Sequence, residues 1–173
     1  MSKPARLGGP DAPATDTAAA VCWYVRVARE EDVAEIVDGV AQLLAELGAT
    51  PPETSDMHRA TRALLGDEQA GLLLVAEADS AIVGVLAASW QAAIHIPGRY
   101  ALIQDLWVHP AWRSKAVGGD LVRVLCVLAD ERQIARIEVG LPRDGFPRLN
   151  ATEAFYRANG FVTLGQRMRR ALQ

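Results

Sequence analysis

The sequence has little of what marks the specialised protein classes. Its 173 residues include only two cysteines, Cys22 and Cys126, which lie far apart inside apolar patterns. Neither a disulfide framework nor a metal site follows from them, and a reducing, cytoplasmic setting is expected. No apolar run reaches the roughly 18 residues that a membrane helix needs. The formal net charge is only −3, so there is no electrostatic reason to expect nucleic acid or an anionic membrane as partner. The glycine-rich phosphate motifs GxxxxGK[ST] and GxGxxG are absent. Residues 1–19 lack the continuous apolar region of a secretory signal and, being rich in Pro, Ala, Gly and Thr, read as a flexible tail.

What remains is the composition of one globular domain over residues 20–173, half apolar and about a quarter charged. Val21 to Ala28 alternates as a first strand. Acidic residues at 30–32 then precede a helix with a core face of Val33, Ile36, Val37, Val40, Leu43, Leu44 and Leu47, ended by Gly48 and Pro51-Pro52. A shorter helix is expected over 55–65 with Met57, Ala60 and Leu64 inward. A hairpin over 71–77 and 81–90 follows, then a connection over 91–99 containing Pro97-Gly98. Residues 135–141 read as a buried strand. Asn150 and Glu153 form a capping pattern before a helix at 151–158, which Asn159-Gly160 stops, and residues 161–172 read as a last strand. The expected fold is α/β of the α+β type, a mixed, mostly antiparallel central sheet with helices on both faces.

The chain is organised around residues 100–130. Leu102, Gln104, Leu106 and Val108 alternate with Ile103, Asp105 and Trp107, the period-two pattern of a strand covered on both faces. Pro110 stops it. The loop AWRSKAVGG then feeds a helix with an apolar stripe of Leu121, Leu125 and Leu128. A helix start presents backbone N–H groups without partners and the positive end of the macrodipole. Small residues let an anion approach them, and Arg113 and Lys115 add full charges.

The loop R-x-x-A-x-G, from Arg113 through Ala116 to Gly118, resembles the Q/R-x-x-G-x-G/A loop of the GCN5-related N-acetyltransferase (GNAT) family, which holds the pyrophosphate of acetyl-coenzyme A. FYRANGF, Phe155 to Phe161, is similar to that family's (L/F)Y-x-x-x-GF ending, and the resemblance covers about residues 22–172. It implies acetyl transfer from acetyl-coenzyme A to an amine by direct attack in a ternary complex, with no metal. It further implies a pyrophosphate cradle of Arg113, Ser114, Lys115, Ala116, Val117, Gly118 and Gly119, and pantetheine pairing with the backbone of Leu106, Trp107 and Val108. Ala116 stands where the family usually has glycine, and is accommodated if φ there is negative.

By the same resemblance Tyr156 donates to the coenzyme sulfur. The family asparagine seven residues before the tyrosine is replaced by Leu149, with Asn150 one place later as its stand-in among the coenzyme-binding residues. Two carboxylates compete for the base: Glu138, placed first because of its apolar neighbours and its match to a glutamate used by some members, and Asp105. His109 reads as a turn residue. The long loop 141–149, with Arg143, Asp144, Phe146 and Arg148, is either a substrate-side flap or a surface insertion. The basic cluster Arg167, Arg169 and Arg170 fits an acidic substrate group, a second subunit of a homodimer, or a charge-guarded edge strand. The alternative function is an acyl-coenzyme A binding or sensing module without catalysis.

Overall fold

The computed structural model describes residues 22–165 and residue 170. Its elements run β1 (Tyr24–Val27), α1 (Val33–Glu46), α2 (Thr54–Leu65), β2 (Gly71–Ala78), β3 (Ala81–Ala93), β4 (Ile96–Val108), α3 (Val117–Glu131), β5 (Ile137–Val139) and α4 (Leu149–Ala158). The sheet order follows the chain, β1-β2-β3-β4-β5. The first three pairings are antiparallel, and β4–β5 is parallel because α3 crosses over between them.

Two apolar layers enclose the sheet. Leu72, Leu74, Leu86, Ala101 and Ile103 pack under Val117, Leu121, Val122 and Leu125 of α3. On the other face Leu73, Val75, Val85 and Trp107 pack under Ile36 and Val40 of α1. Alternation along β2 supplies both layers, as a strand covered on both faces must. Gly84 lets α3 lie close: a Cβ there would stand 3.0 Å from both Leu121 and Val117. At the start of α1, Asp32 accepts from both terminal nitrogens of Arg26 (2.6 and 2.8 Å) and from the Arg29 backbone N–H (2.6 Å). Arg26 also donates to Glu77 on β2 (2.8 Å), so one guanidinium ties two strands to a helix.

Several expectations are corrected. The connection expected over 91–99 is strand apart from the turn residues Ile94 and His95. Pro97 and Gly98 form a bulge instead: Ala92 pairs with Arg99 and Ala93 with Ile96, and Gly98 has φ +82°. A residue without an N–H and one free to take positive φ suit a bulge as well as a turn. In β4 a second bulge places Gln104 between the pairs Ala88–Ile103 and Ala87–Asp105. The extra residue breaks the expected alternation. Ile103, Leu106 and Val108 share the α3 face, while Leu102, Asp105 and Trp107 share the α1 face.

The capping pattern at Asn150 is not realised. Helix α4 begins at Leu149 with Arg148 as N-cap, and Glu153 pairs instead with Arg157 at 2.6 Å. In α2, Met57 and Leu64 are half-buried but Ala60 is exposed. Residues 161–165 are not strand; of the expected last strand, 166–169 and 171–173 lie outside the described residues, and with them Arg167 and Arg169. Both cysteines are free thiols and exposed. Among the described residues no helix is long and apolar enough to cross a membrane, and no group of three or more His, Cys, Asp or Glu could hold a metal.

Candidate active site

Strand β5 pairs with β4 only over Ala101–Ile103. Beyond Ile103, β4 continues to Val108 while β5 ends at Val139, so a cleft opens in the sheet. The His109 N–H bonds Val83 on β3. Backbone groups alternate sides along a strand, so those of Trp107 also face β3 and those of Leu106 and Val108 face the cleft. The Val108 carbonyl already accepts from Arg113 Nε at 2.9 Å. A cavity of about 610 Å³ fills the cleft and reaches both faces of the sheet. Leu43, Glu46 and Leu47 line it from α1, and Gly118, Phe155, Tyr156 and Asn159 from α3 and α4.

The loop before α3 supplies one end. Pro110–Trp112 form a single 3-10 turn, in which His109 Nδ1 accepts from the Ala111 N–H at 3.3 Å, the turn role expected of it. Ala116 is the N-cap of α3 and contributes no side-chain bond. The first intrahelical bond runs from the Asp120 N–H to Ala116. The N–H groups of Val117, Gly118 and Gly119 therefore precede any helical partner, and all three residues line the cavity. A Cβ on Gly119 would meet only the Asn159 side-chain oxygen, at 3.5 Å. Ser114 and Ala116 both have positive φ, +61° and +67°. The negative φ that would suit alanine is not adopted, and the loop holds two non-glycine residues in the left-handed region.

Arg113 is held from two sides. Besides Val108 it donates to Glu46 at the end of α1, at 2.6 Å. Lys115 does not line the cavity; its Nζ stands 5.0 Å over the Trp112 ring. Asn150 is exposed in the first turn of α4 and also lies off the cavity wall. The asparagine on the wall is Asn159, which donates to the Phe155 carbonyl at 2.8 Å. Of the other expected coenzyme residues, Leu106, Trp107, Val108, Arg113, Ser114, Ala116, Val117, Gly118, Gly119 and Tyr156 all line the cavity.

Tyr156 is placed by the way α4 ends. Gly160 takes φ +86°, its N–H bonds Arg157, and the Phe161 N–H bonds the carbonyl of Tyr156 at 3.0 Å. That is a Schellman cap, with the usual apolar contact between its ends: the Phe161 ring lies 5.3 Å from that of Tyr156. The Tyr-x-x-x-Gly-Phe spacing thus fixes the tyrosine at the cavity wall. Tyr156 is buried, and burial, with the charge of Asp105 nearby, pushes its hydroxyl up to about 12.

Neither carboxylate forms part of the cavity wall. Both lie on the α1 face of the sheet, Glu138 beside Leu102 and Asp105 beyond the bulge. Glu138 lies 3.7 Å from Arg136, with its side chain mostly buried. Asp105 makes no hydrogen bond or ion pair among the described residues, and burial pushes its carboxyl above the usual carboxylate range. The Trp107 Nε1–H, also buried, has no partner among the described residues.

Residues 69–163, more than half of the chain, match the family model of the acetyltransferase (GNAT) domain. The chain belongs to the GNAT acetyltransferases. Solved structures share the fold at low identity. A predicted acetyltransferase from Clostridium acetobutylicum, solved with acetyl-CoA, is 18% identical with a TM-score of 0.72, over 87% of this chain and 96% of that one. Glucosamine-6-phosphate N-acetyltransferase from Arabidopsis thaliana is 14% identical with a TM-score of 0.70, over 88% and 99%. Aminoglycoside 6'-N-acetyltransferase AAC(6')-IG from Acinetobacter haemolyticus is 16% identical with a TM-score of 0.72, over 87% and 98%. No curated protein matches the chain. In this GNAT domain the wall supplied by α1, and Asn159 on α4, were not legible as site features in the sequence. Glu46 carries no signal there, and Asn159 reads only as a helix stop.

Proposed function

We propose that the protein transfers the acetyl group of acetyl-coenzyme A to a primary amine, by direct attack while both are bound. The observation that carries this reading is the through-sheet cleft, with free helix-start amides at one end and Tyr156 on its wall, Asp105 lying behind the wall within electrostatic reach of Tyr156. The coenzyme diphosphate would take the N–H groups of Val117, Gly118 and Gly119, where the macrodipole favours an anion. The pantetheine arm would run along β4, with the free groups of Leu106 and the Val108 N–H as partners. The thioester then lies near Tyr156.

An alkylamine is protonated at neutral pH, since its pKa is about 10.4. Three features support Asp105 over Glu138 as the proton acceptor: its want of a partner, its raised proton affinity, and its electrostatic contact with Tyr156. The neutral nitrogen attacks the thioester carbon and forms the C–N bond. The tetrahedral adduct collapses with loss of the C–S bond, Tyr156 donates its proton to the departing sulfur, and the second proton of the new nitrogen returns to the Tyr156 oxygen, leaving a neutral amide and thiol. Once Asp105 has taken the amine proton its charge is gone, and with it one of the two causes that weaken Tyr156 as an acid. The first proton transfer thereby prepares the second. An isolated buried carboxylate is costly and useless to a module that only binds coenzyme, so catalysis is the better reading.

The test is release of coenzyme A thiol from acetyl-coenzyme A in the presence of primary amines, by wild type and by Tyr156→Phe. The variant should bind coenzyme as wild type does and lose turnover about 10²-fold. Equal turnover by both would remove Tyr156 from the chemistry.

A further inference from the structure

Given acetyl transfer to an amine as the reaction, the cavity also constrains which amine. If the phosphate end at α3 admits the coenzyme, the acceptor enters from the opposite face of the sheet, which α1 borders. On that side Leu43, Leu47 and Trp107 line the cavity, joined by Pro142 and Phe146 of the loop after β5. The loop after β5 closes it: an Arg143 terminal nitrogen lies 3.1 Å from where a Cβ on Gly48 would stand, at the end of α1. The loop flagged in the sequence therefore reaches across to α1 and brings Pro142 and Phe146 with it onto the wall.

The charges on the wall point the same way. Among the described residues its one carboxylate is Glu46, which Arg113 already holds at 2.6 Å. Its other charged group is a second guanidinium, Arg148. A substrate with several ammonium groups needs several carboxylates free to meet them, and a lining of excess positive charge repels it. One amine can pass its proton to Asp105 behind the wall; for further cations the wall itself offers no carboxylate that is not already held.

We infer that the acceptor is a primary amine carried on an apolar body, an alkyl- or arylalkylamine, and that Phe146 and the α1 leucines grip that body. Specificity would then come from area removed from water. Each added methylene should raise kcat/KM about fourfold, until the cavity is filled.

The experiment compares n-alkylamines from ethylamine to hexylamine, 2-phenylethylamine, and the polycations spermidine and kanamycin. Acetyl-coenzyme A is the donor, with coenzyme binding measured separately. The expected result is a kcat/KM that climbs along the alkyl series, high activity on 2-phenylethylamine, and at least tenfold lower activity on the polycations. Phe146→Ala should raise the KM for 2-phenylethylamine about tenfold and leave coenzyme affinity as it was. Turnover indifferent to alkyl length, or highest on a polycation, overturns the substrate class while acetyl transfer stands. Coenzyme binding with no turnover on any of these amines overturns the transfer reading and this inference with it. The alkyl series needs only the wild-type protein, so the outcome does not depend on the variant folding.

Discussion

At the scale of single residues, Asp105 carries the sharpest expectation, because its environment sets activity against stability. A carboxyl with raised folded-state proton affinity binds more protons folded than unfolded. Its contribution to stability is present at low pH and is lost as pH rises from about 3.9, the unfolded value, through the raised one. By neutral pH that contribution has been eroded, and the buried carboxyl is a burden on the fold. Asp105→Asn should therefore raise the melting temperature at pH 7 while lowering turnover about 10²- to 10⁴-fold and abolishing the acid limb of the pH–rate profile. It should also move the Tyr156 phenol titration down from about 12, read by absorbance, since the negative charge that opposes ionisation is removed. A fall in stability, or an intact acid limb, would contradict the role. The sequence displayed both carboxylates and placed Glu138 first, the reverse of the order proposed from the structure. Their surroundings depend on the bulge at Gln104 and on Arg136 beside Glu138, and side-chain periodicity encodes neither.

At the scale of elements, the strand–loop–helix of 100–130 and the ending of α4 were legible because local chemistry determines both. A proline stops the strand, small residues open the helix, and Gly160 with Phe161 makes a cap that any Tyr-x-x-x-Gly-Phe could make. The start of α4 and the β3–β4 turn were misread because Asn150, Pro97 and Gly98 each fit more than one local structure, and tertiary packing chose. Ala116, at φ +67°, gives a test of the loop itself. Left-handed backbone costs a residue with a Cβ about 1–2 kcal/mol, partly offset for glycine by the freedom it adds to the unfolded chain. Ala116→Gly should keep or raise stability by up to about 1 kcal/mol, with coenzyme affinity retained. Ala116→Val, β-branched in the same conformation, should lower both. Thermal melts and coenzyme titration read the pair; a valine as well tolerated as glycine would mean the loop does not hold this shape in solution.

At the scale of the whole molecule, the mixed, mostly antiparallel sheet with apolar layers under helices on both faces was readable from the sequence, whereas the wall that α1 lends to the cavity is a product of assembly. The Arg26–Asp32–Glu77 cluster helps hold that assembly at the β1 edge. Arg26 holds the Asp32 carboxyl below its usual range through hydrogen bonds, and does the same to Glu77. These contributions are present above the ordinary carboxylate values and are lost as pH falls through the depressed ones. Asp32→Ala should cost about 3 kcal/mol at pH 7, with the gap from wild type narrowing under acid, as denaturant melts at pH 7 and pH 3 would show. The cleft has a kinetic corollary of its own. Because it passes through the sheet, with α1 bordering one face and α3 and α4 the other, donor and acceptor need not share a doorway. Neither has to queue behind the other, so binding should be random in order, and separate calorimetric titrations should show acetyl-coenzyme A and 2-phenylethylamine each binding the protein in the absence of the other.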